Sequence, residues 1–212
     1  MTFLGCGGGF VMGFLLANIR MSSGRSLYPL RLLATAYVEF FRRVPFLVIL
    51  FSLFFTAKSV GIDWSLISLA ILSIVVISTA FIAEIIRAGL ETVPSTQWDA
   101  ALSMNFSKMR TMMLVILPQA WRSILPPTFV YFVTFIKDTA VVSQVGVIEL
   151  TQVGRYFSDK GTSALLSFGA VLVCYFVMSY PLMRFGWWLE SRLHGRRIAS
   201  SADIAFRGSQ GG

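Results

Sequence analysis

Side chains able to carry out catalysis are scarce in this sequence. The single histidine, His194, lies in a basic segment without a cysteine or carboxylate cluster beside it, so it indicates neither a metal site nor a nucleophilic triad. The two cysteines, Cys6 and Cys174, sit within apolar segments, where cysteine behaves as a small hydrophobic residue. The glycine-rich run at residues 5–9 lacks the Gly-Lys-Ser/Thr ending of a phosphate-binding loop. We therefore expect no catalytic residue, metal or cofactor in this chain.

Charged side chains at the end of an apolar segment offer a different chemistry, because charges inside a membrane are costly unless they pair. Glu84, Arg87 and Glu91 follow one another at i,i+3 and i,i+4 spacing. This spacing predicts a ladder of ion pairs along one helix face. Two interpretations stay open: an ordinary helix end at the membrane interface, and a functional ion pair.

Polar groups between residues 134 and 149 are candidates for a transport pathway. Lys137 and Asp138 are adjacent opposite charges in an apolar region that also contains Pro126-Pro127. A span over residues 114–136 would leave this pair outside the membrane, whereas a span over 124–146 would place it within the membrane. Charged residues inside a membrane usually have a functional role. The pair could complement a zwitterion or hold a broken helix, and both interpretations stay open. The candidates are Thr134, Lys137, Asp138, Ser143, Gln144 and Glu149.

The composition is that of an integral membrane protein. The chain has 212 residues, of which 56% are hydrophobic and 13% charged, and its mean hydropathy of +0.73 lies well outside the range of soluble domains. The net charge of +8 comes from basic residues spread along the ends of apolar runs rather than from a dense patch. That distribution indicates the positive-inside pattern and argues against a nucleic-acid partner.

Apolar segments predict an all-α membrane fold with about five transmembrane helices in one domain over residues 1–199, followed by a disordered cytoplasmic tail over 200–212. If the N-terminus is outside, fourteen of the 18 Lys and Arg residues lie inside, and Lys58, Lys137, Arg155 and Lys160 lie outside. The C-terminus is then cytoplasmic. The predicted spans are 3–19, 42–58, 64–86, 114–136 or 124–146, and 164–188.

The stretch from residue 95 to 118 fits neither a membrane span nor an ordinary loop. Pro94 ends the preceding helix, and Thr96 with Asp99 forms a near capping box, so we expect a new helix over 95–107. At roughly a dozen residues this helix is too short to cross a bilayer. It presents a narrow polar face and large apolar sides, with Trp98 as a candidate anchor for a cytoplasmic partner.

This stretch resembles the EAA signature in the cytoplasmic loop of ABC importer permeases. The corresponding positions are Asp99, Ala100, Ala101, Asn105, Val115, Leu117 and Pro118, of which four match outright and two more are conservative. Asn105 replaces the family's glycine, but asparagine readily adopts the left-handed conformation, so a turn there stays feasible. The resemblance implies that Trp98, Asp99, Ala100, Ala101, Asn105, Leu117 and Pro118 couple this chain to an ATPase.

The resemblance extends over residues 37–154 and narrows to the polar amino acid permeases. It rests on YVEFFRRVPFL at 37–47, on residues 81–94, on residues 118–127, and on KDTAVVSQVGVIELT at 137–151; Arg43-Val44 departs from the family's Gly-Thr. It implies a type I ABC importer permease fold in the bacterial inner membrane. It further implies an ATPase dimer that hydrolyses ATP in separate chains, a second permease subunit, identical or different, and an extracytoplasmic substrate-binding protein.

A rival hypothesis of another class is a membrane assembly or signalling protein whose short helix recruits a cytoplasmic partner without transport. The two hypotheses differ in whether an ATPase copurifies and in whether an amino acid stimulates ATP hydrolysis.

Overall fold

The computed structural model describes residues 1–22 and 25–208, and within them the side chains of residue 26 and of residues 194–208, which include His194, are not described. Every regular element in this part of the chain is helical, as the apolar composition predicts. The α-helices are α1 Thr2–Met21, α2 Tyr28–Phe41, α3 Phe46–Ser59, α4 Leu66–Glu91, α5 Ser95–Ser103, α6 Lys108–Arg110, α7 Leu117–Asp138, α8 Leu150–Asp159 and α9 Ala164–Gly208. A π-helical segment, Thr111–Ile116, and a 3-10 segment, Thr139–Val145, flank α7.

Four helical segments are long and apolar enough to cross a membrane, and a bent pair of helices raises the number to as many as five. The bent pair is α2 with α3, which meet at an angle of 109°. The prediction of an all-α membrane fold with about five spans is confirmed. The four segments are Thr2–Met21, Leu66–Glu91, Lys108–Val145 and Ala164–Leu193.

The helix within the predicted second span, residues 42–58, begins later than residue 42. Residues 42–45 are a break between two helices, and α3 begins after Pro45, which occupies its N-cap position. With 14 residues, α3 is about 21 Å long, which is less than the thickness of the apolar core of a bilayer. The preceding helix belongs to the bundle rather than to a loose connector, because the Tyr37 hydroxyl donates a hydrogen bond of 2.8 Å to the Val76 carbonyl of α4.

The prolines do not break the helix of the fourth span. The helical segment Lys108–Val145 runs without interruption through Pro118, Pro126 and Pro127. Because this segment is longer than a membrane span needs, the placements at 114–136 and 124–146 both stay predictions. Membrane helices tolerate internal prolines when neighbouring helices and local 3-10 or π geometry compensate for the lost hydrogen bonds.

Two further boundaries differ from prediction. The third span begins at Leu66 instead of residue 64, after Ser65, whose hydroxyl accepts a hydrogen bond of 3.1 Å from the Ser68 amide. The tail predicted to be disordered continues α9 as far as Gly208, while residues 209–212 lie outside the described residues. Alanines at 199, 202 and 205, and the lack of proline after Pro181, favour this continuation.

Helix α4 is the centre of the bundle. In its apolar window 56% of the residues are buried, against 11% in α9, which lies at the edge. The glycines of α1 let it approach α4 closely: a Cβ atom added at Gly9 would lie 1.9 Å from the Ser78 hydroxyl. The glycine-rich run at the N-terminus is therefore a helix-packing surface.

Candidate functional site

The short helix predicted within residues 95–118 is present as α5, directly after α4. It ends at Ser103 instead of residue 107, and its N-cap is Pro94. The predicted capping box is wrong: within the described residues no side chain caps α5, since Thr96 and Asp99 both lie inside the helix. At nine residues, α5 is far too short to span a membrane.

A left-handed turn at Asn105 ends α5. Asn105 has a φ of 58°, and the Phe106 amide donates a hydrogen bond of 3.0 Å to the Ala101 carbonyl. This pattern is a Schellman ending, in which the left-handed residue usually is glycine. Ser107 then begins α6, its hydroxyl accepting a hydrogen bond of 3.4 Å from the Arg110 amide. The turn that the sequence allowed at Asn105 is confirmed.

One side of α5 packs against the core of this chain. Ala101 is fully buried, and the half-buried Trp98 packs against a cluster that contains Ile86 and Ile116. Part of the indole is therefore occupied by this chain itself, and the rest lines a cavity with Leu102 and Met109, so the role of Trp98 as an anchor for a partner stays a prediction. Trp98 therefore fixes the position of α5.

The other side of α5 is exposed. Asp99, Ala100 and Asn105 are exposed polar or small residues, and the apolar side chains of Leu102 and Met104 are 54% and 60% exposed. We call these five residues the α5 surface. A mixed surface with protruding apolar side chains is suited to contact with another protein.

Leu117 and Pro118, which form the second part of the predicted motif, lie close to α5 and help to hold it in place. Leu117 packs against the same core cluster as Trp98, while Pro118 lines a cavity of about 380 Å³ together with Pro94 and Arg122. The Gln119 amide donates a hydrogen bond of 3.2 Å to the Gln97 side chain, which joins α7 to α5. The residues at 99–101, 105 and 117–118 thus belong to one structural unit.

Some of the predicted pathway residues remain open to a ligand. Lys137, Asp138 and Gln144 are exposed at the end of α7 and in the 3-10 segment. Thr134, one turn earlier on α7, is half-buried, and its hydroxyl donates a hydrogen bond of 3.0 Å to the Val130 carbonyl.

Two other predicted pathway residues make hydrogen bonds that stabilise the chain itself. Ser143 is 2% exposed and its hydroxyl donates to the Ala140 carbonyl at 2.7 Å. Glu149 caps α8: its carboxylate accepts hydrogen bonds from two backbone amides, at 2.9 and 2.8 Å, and from the Tyr175 hydroxyl at 2.8 Å. These contacts give both residues a structural role, and their assignment to the pathway stays a prediction.

The charge ladder on α4 is present and larger than predicted. Arg87 contacts Glu84 at 2.6 Å and Glu91 at 2.5 Å, as the spacing indicated. Arg20 and Arg42 also contact Glu84, at 2.8 and 3.5 Å, and sequence reasoning missed both contacts. One feature of the sequence could have indicated these contacts. The positive-inside rule places Arg20, Arg42 and Arg87 on the side of the membrane where α4 ends.

The fold and the site define a class of protein: a multi-pass helical membrane protein that presents a short, supported helix between its central span and the span built on α7. Residues 9–195 match the family model described as "Binding-protein-dependent transport system inner membrane component". The chain belongs to this family.

Relatives and solved structures agree with this family. The chain is 32% identical over 186 residues to a probable glutamine ABC transporter permease of Bacillus subtilis, covering 88% of this chain and 85% of that one. It is 35% identical over 161 residues to the L-cystine transport system permease TcyB of the same organism, covering 74% and 68%. A crystal structure of an amino acid ABC transporter superposes with a TM-score of 0.83 at 30% identity over 90% and 88% of the chains. The MetNI methionine ABC transporter gives 0.76 at 25% identity over 91% of both chains.

These matches confirm the predicted type I importer permease fold and the predicted class of function. The chain is a membrane-spanning permease subunit of an ABC importer, and it has no catalytic role of its own in this family. The family implies partnership with an ATPase and a substrate-binding protein. The rival hypothesis of a signalling or assembly protein finds no support among these matches.

Proposed function

We propose that this permease imports polar amino acids or related small zwitterions, and that α5 couples it to an ATPase dimer. The observation that carries the coupling is the two-sided character of α5. Ala101 and Trp98 fix one side to the core, while the α5 surface is exposed on the other. A short helix held in this way can enter a groove on a partner and move with it.

The substrate class is supported by the relatives and by the charges that remain exposed. Both B. subtilis relatives are named for amino acids, glutamine and cystine. Lys137 and Asp138 offer opposite charges suited to a zwitterion, and Thr134 and Gln144 add polar groups near them. These four residues form this chain's contribution to the pathway. The other half of the pathway comes from a second permease subunit, identical or different. Among the candidate membrane helices, α9 is weakly buried and so has exposed surface available for contact with lipid or with that subunit.

The orientation follows from the positive-inside pattern. Arg20 and Arg42 meet Glu84 at the end of α4 that leads into α5, so the basic residues and α5 share one end of the bundle. In the bacterial inner membrane this end faces the cytoplasm and the ATPase, and the N-terminus is outside. The extracytoplasmic binding protein meets the opposite end, where Lys58 and Lys160 are exposed.

Asp99→Arg tests this proposal in proteoliposomes that contain the permease, its ATPase and its binding protein. Because Asp99 is exposed, the change leaves insertion intact, but a reversed charge at the interface disfavours docking. We expect ATP-driven uptake of labelled glutamine or cystine to be abolished. The matched control is Asp159→Arg on α8, an exposed aspartate of another short helix, which keeps the ATPase bound to the permease, whereas Asp99→Arg loses it. Wild-type uptake by Asp99→Arg would contradict the proposed coupling role.

A further inference from the structure

Three guanidinium groups converge on the carboxylate of Glu84. Arg87 comes from the same helix, with Nη2 2.6 Å and Nε 3.1 Å from the two carboxylate oxygens. Arg20 comes from the last turn of α1, at 2.8 Å, and Arg42 from the break after α2, at 3.5 Å. We call these four residues the Glu84 cluster. Three separate parts of the chain therefore meet at one carboxylate.

Burial makes this cluster different from an ordinary surface ion pair. The side chains of Arg20 and Glu84 are 9% and 17% exposed, whereas Glu91, the other partner of Arg87, is 57% exposed. Water screens the exposed pair strongly, so it contributes little. Loss of one member of a largely buried cluster leaves the remaining charges without their partner, which is costly. Glu84 is thus the member on which the arrangement depends.

The cluster lies between two mechanically important places in the chain. On one side, α4 continues through Gly89 to α5, and Gly89 is packed so closely on α7 that an added Cβ would lie 2.3 Å from Cγ1 of Ile124. On the other side, Arg42 stands in the break between α2 and α3, where the chain bends by 109°. Its guanidinium also lies 5.9 Å from the centre of the Phe81 ring.

We propose that Glu84 is a positioning residue that transmits displacement of α5 to the bend between α2 and α3. Arg20 and Arg87 hold the carboxylate through the short contacts. Arg42 makes the longest contact, so it is the member that separates most readily when α4 moves relative to the bend. This role rests on the coupling function proposed for α5, and it concerns how far that coupling reaches into the membrane.

The test compares Glu84→Gln and Arg42→Gln with Glu91→Gln as the matched control. Each variant is reconstituted with its ATPase and binding protein, and ATP hydrolysis and labelled glutamine or cystine uptake are measured on the same vesicles. We expect Glu84→Gln and Arg42→Gln to lower uptake per ATP hydrolysed by about 2- to 30-fold, the range of energetic coupling between linked sites, with the amount of bound ATPase unchanged. Glu91→Gln keeps the wild-type ratio, because its pair is exposed.

A double variant, Glu84→Arg with Arg42→Glu, restores one carboxylate among three guanidiniums. It should recover part of the uptake per ATP that Glu84→Arg alone loses.

An unchanged ratio in both glutamine variants would overturn the positioning role, as would a loss of ATPase binding that accounts for the whole effect. If Glu84→Gln does not reach the membrane, Arg42→Gln, whose side chain is 35% exposed, decides the matter. Wild-type vesicles that show no ATP-driven uptake would instead contradict the proposed function.

Discussion

At the scale of single residues, Asn105 shows how a local backbone requirement places a functional surface. Its left-handed conformation ends α5 and directs the chain towards Ser107 and α6. Glycine adopts this conformation without strain, asparagine tolerates it, and a β-branched residue does so poorly. The sequence was sufficient to identify this position, because the substitution of asparagine for glycine retains the needed freedom.

Asn105→Val should therefore destabilise the loop by about 1–2 kcal/mol, the cost of a left-handed conformation for a residue with a Cβ atom. Thermal unfolding of the detergent-solubilised permease and binding of the ATPase measure the effect, and both should decrease. Asn105→Gly should retain both properties. Ser103→Val serves as the control, since Ser103 is also exposed but has a helical backbone. Equal effects of valine at positions 103 and 105 would contradict this explanation.

Two predicted pathway residues, Glu149 and Ser143, show what residue type leaves undetermined. Glu149 and Ser143 are polar residues in an apolar region, as a pathway would need, yet their polar atoms satisfy backbone and side-chain groups of this chain. Sequence identifies which polar groups are present, but their hydrogen-bond partners depend on how the helices pack.

At the scale of elements, the length and hydropathy of a segment were sufficient to predict α1 and α4. They were not sufficient to predict the helix pair α2 and α3. The long runs of α1 and α4 have the period and length of a span, so their bounds were predicted within a few residues. Residues 20–41 lie between two predicted spans, yet the helix they contain, α2, packs within the bundle. The prolines of α7 suggested a break that the neighbouring helices prevent.

Helix α8 escaped prediction, and its N-terminal cap gives a test. Glu149 accepts hydrogen bonds from the Thr151 and Gln152 amides. Glu149→Ala removes this cap, which costs about 0.5–2 kcal/mol, the typical contribution of an N-cap side chain. Hydrogen exchange of the amides of residues 150–159 should accelerate, while exchange in α5 stays unchanged.

The control for this prediction is Tyr175→Phe, which removes the hydroxyl donor to Glu149 but leaves the cap itself. It should have a smaller effect on exchange in α8. Unchanged protection in Glu149→Ala would show that packing of α8 on α9, rather than the cap, maintains the helix.

At the scale of the whole molecule, the fold holds an exposed α5 surface at one end of the bundle and open charged residues near the end of α7. Central α4 connects them, since it packs against α1 and α7 and leads directly into α5. The sequence predicted the number of spans and the short helix between them. The sequence predicted the contact of Glu84 with Arg87 but not those with Arg20 and Arg42, because these two lie 64 and 42 positions from Glu84 and meet it only through packing.

Disulfide crosslinking from the α5 surface to the ATPase tests the coupling role most directly. Cys174, which is exposed, is first replaced by serine, and Cys6 stays because it is buried. Cysteine is then introduced at Ala100, which is exposed, or at Ala101 on the same helix, which is fully buried. A further variant has cysteine in place of Lys160, which the predicted topology places on the side of the membrane opposite to α5.

With a set of single cysteines on the groove of the ATPase, we expect that Ala100→Cys forms a crosslink and that the extent of crosslinking changes when ATP is added. Ala101→Cys and Lys160→Cys should form none. Absence of a crosslink from Ala100→Cys in a complex that imports its amino acid, or equal crosslinking from all three positions, would contradict the claim that α5 couples this permease to its ATPase.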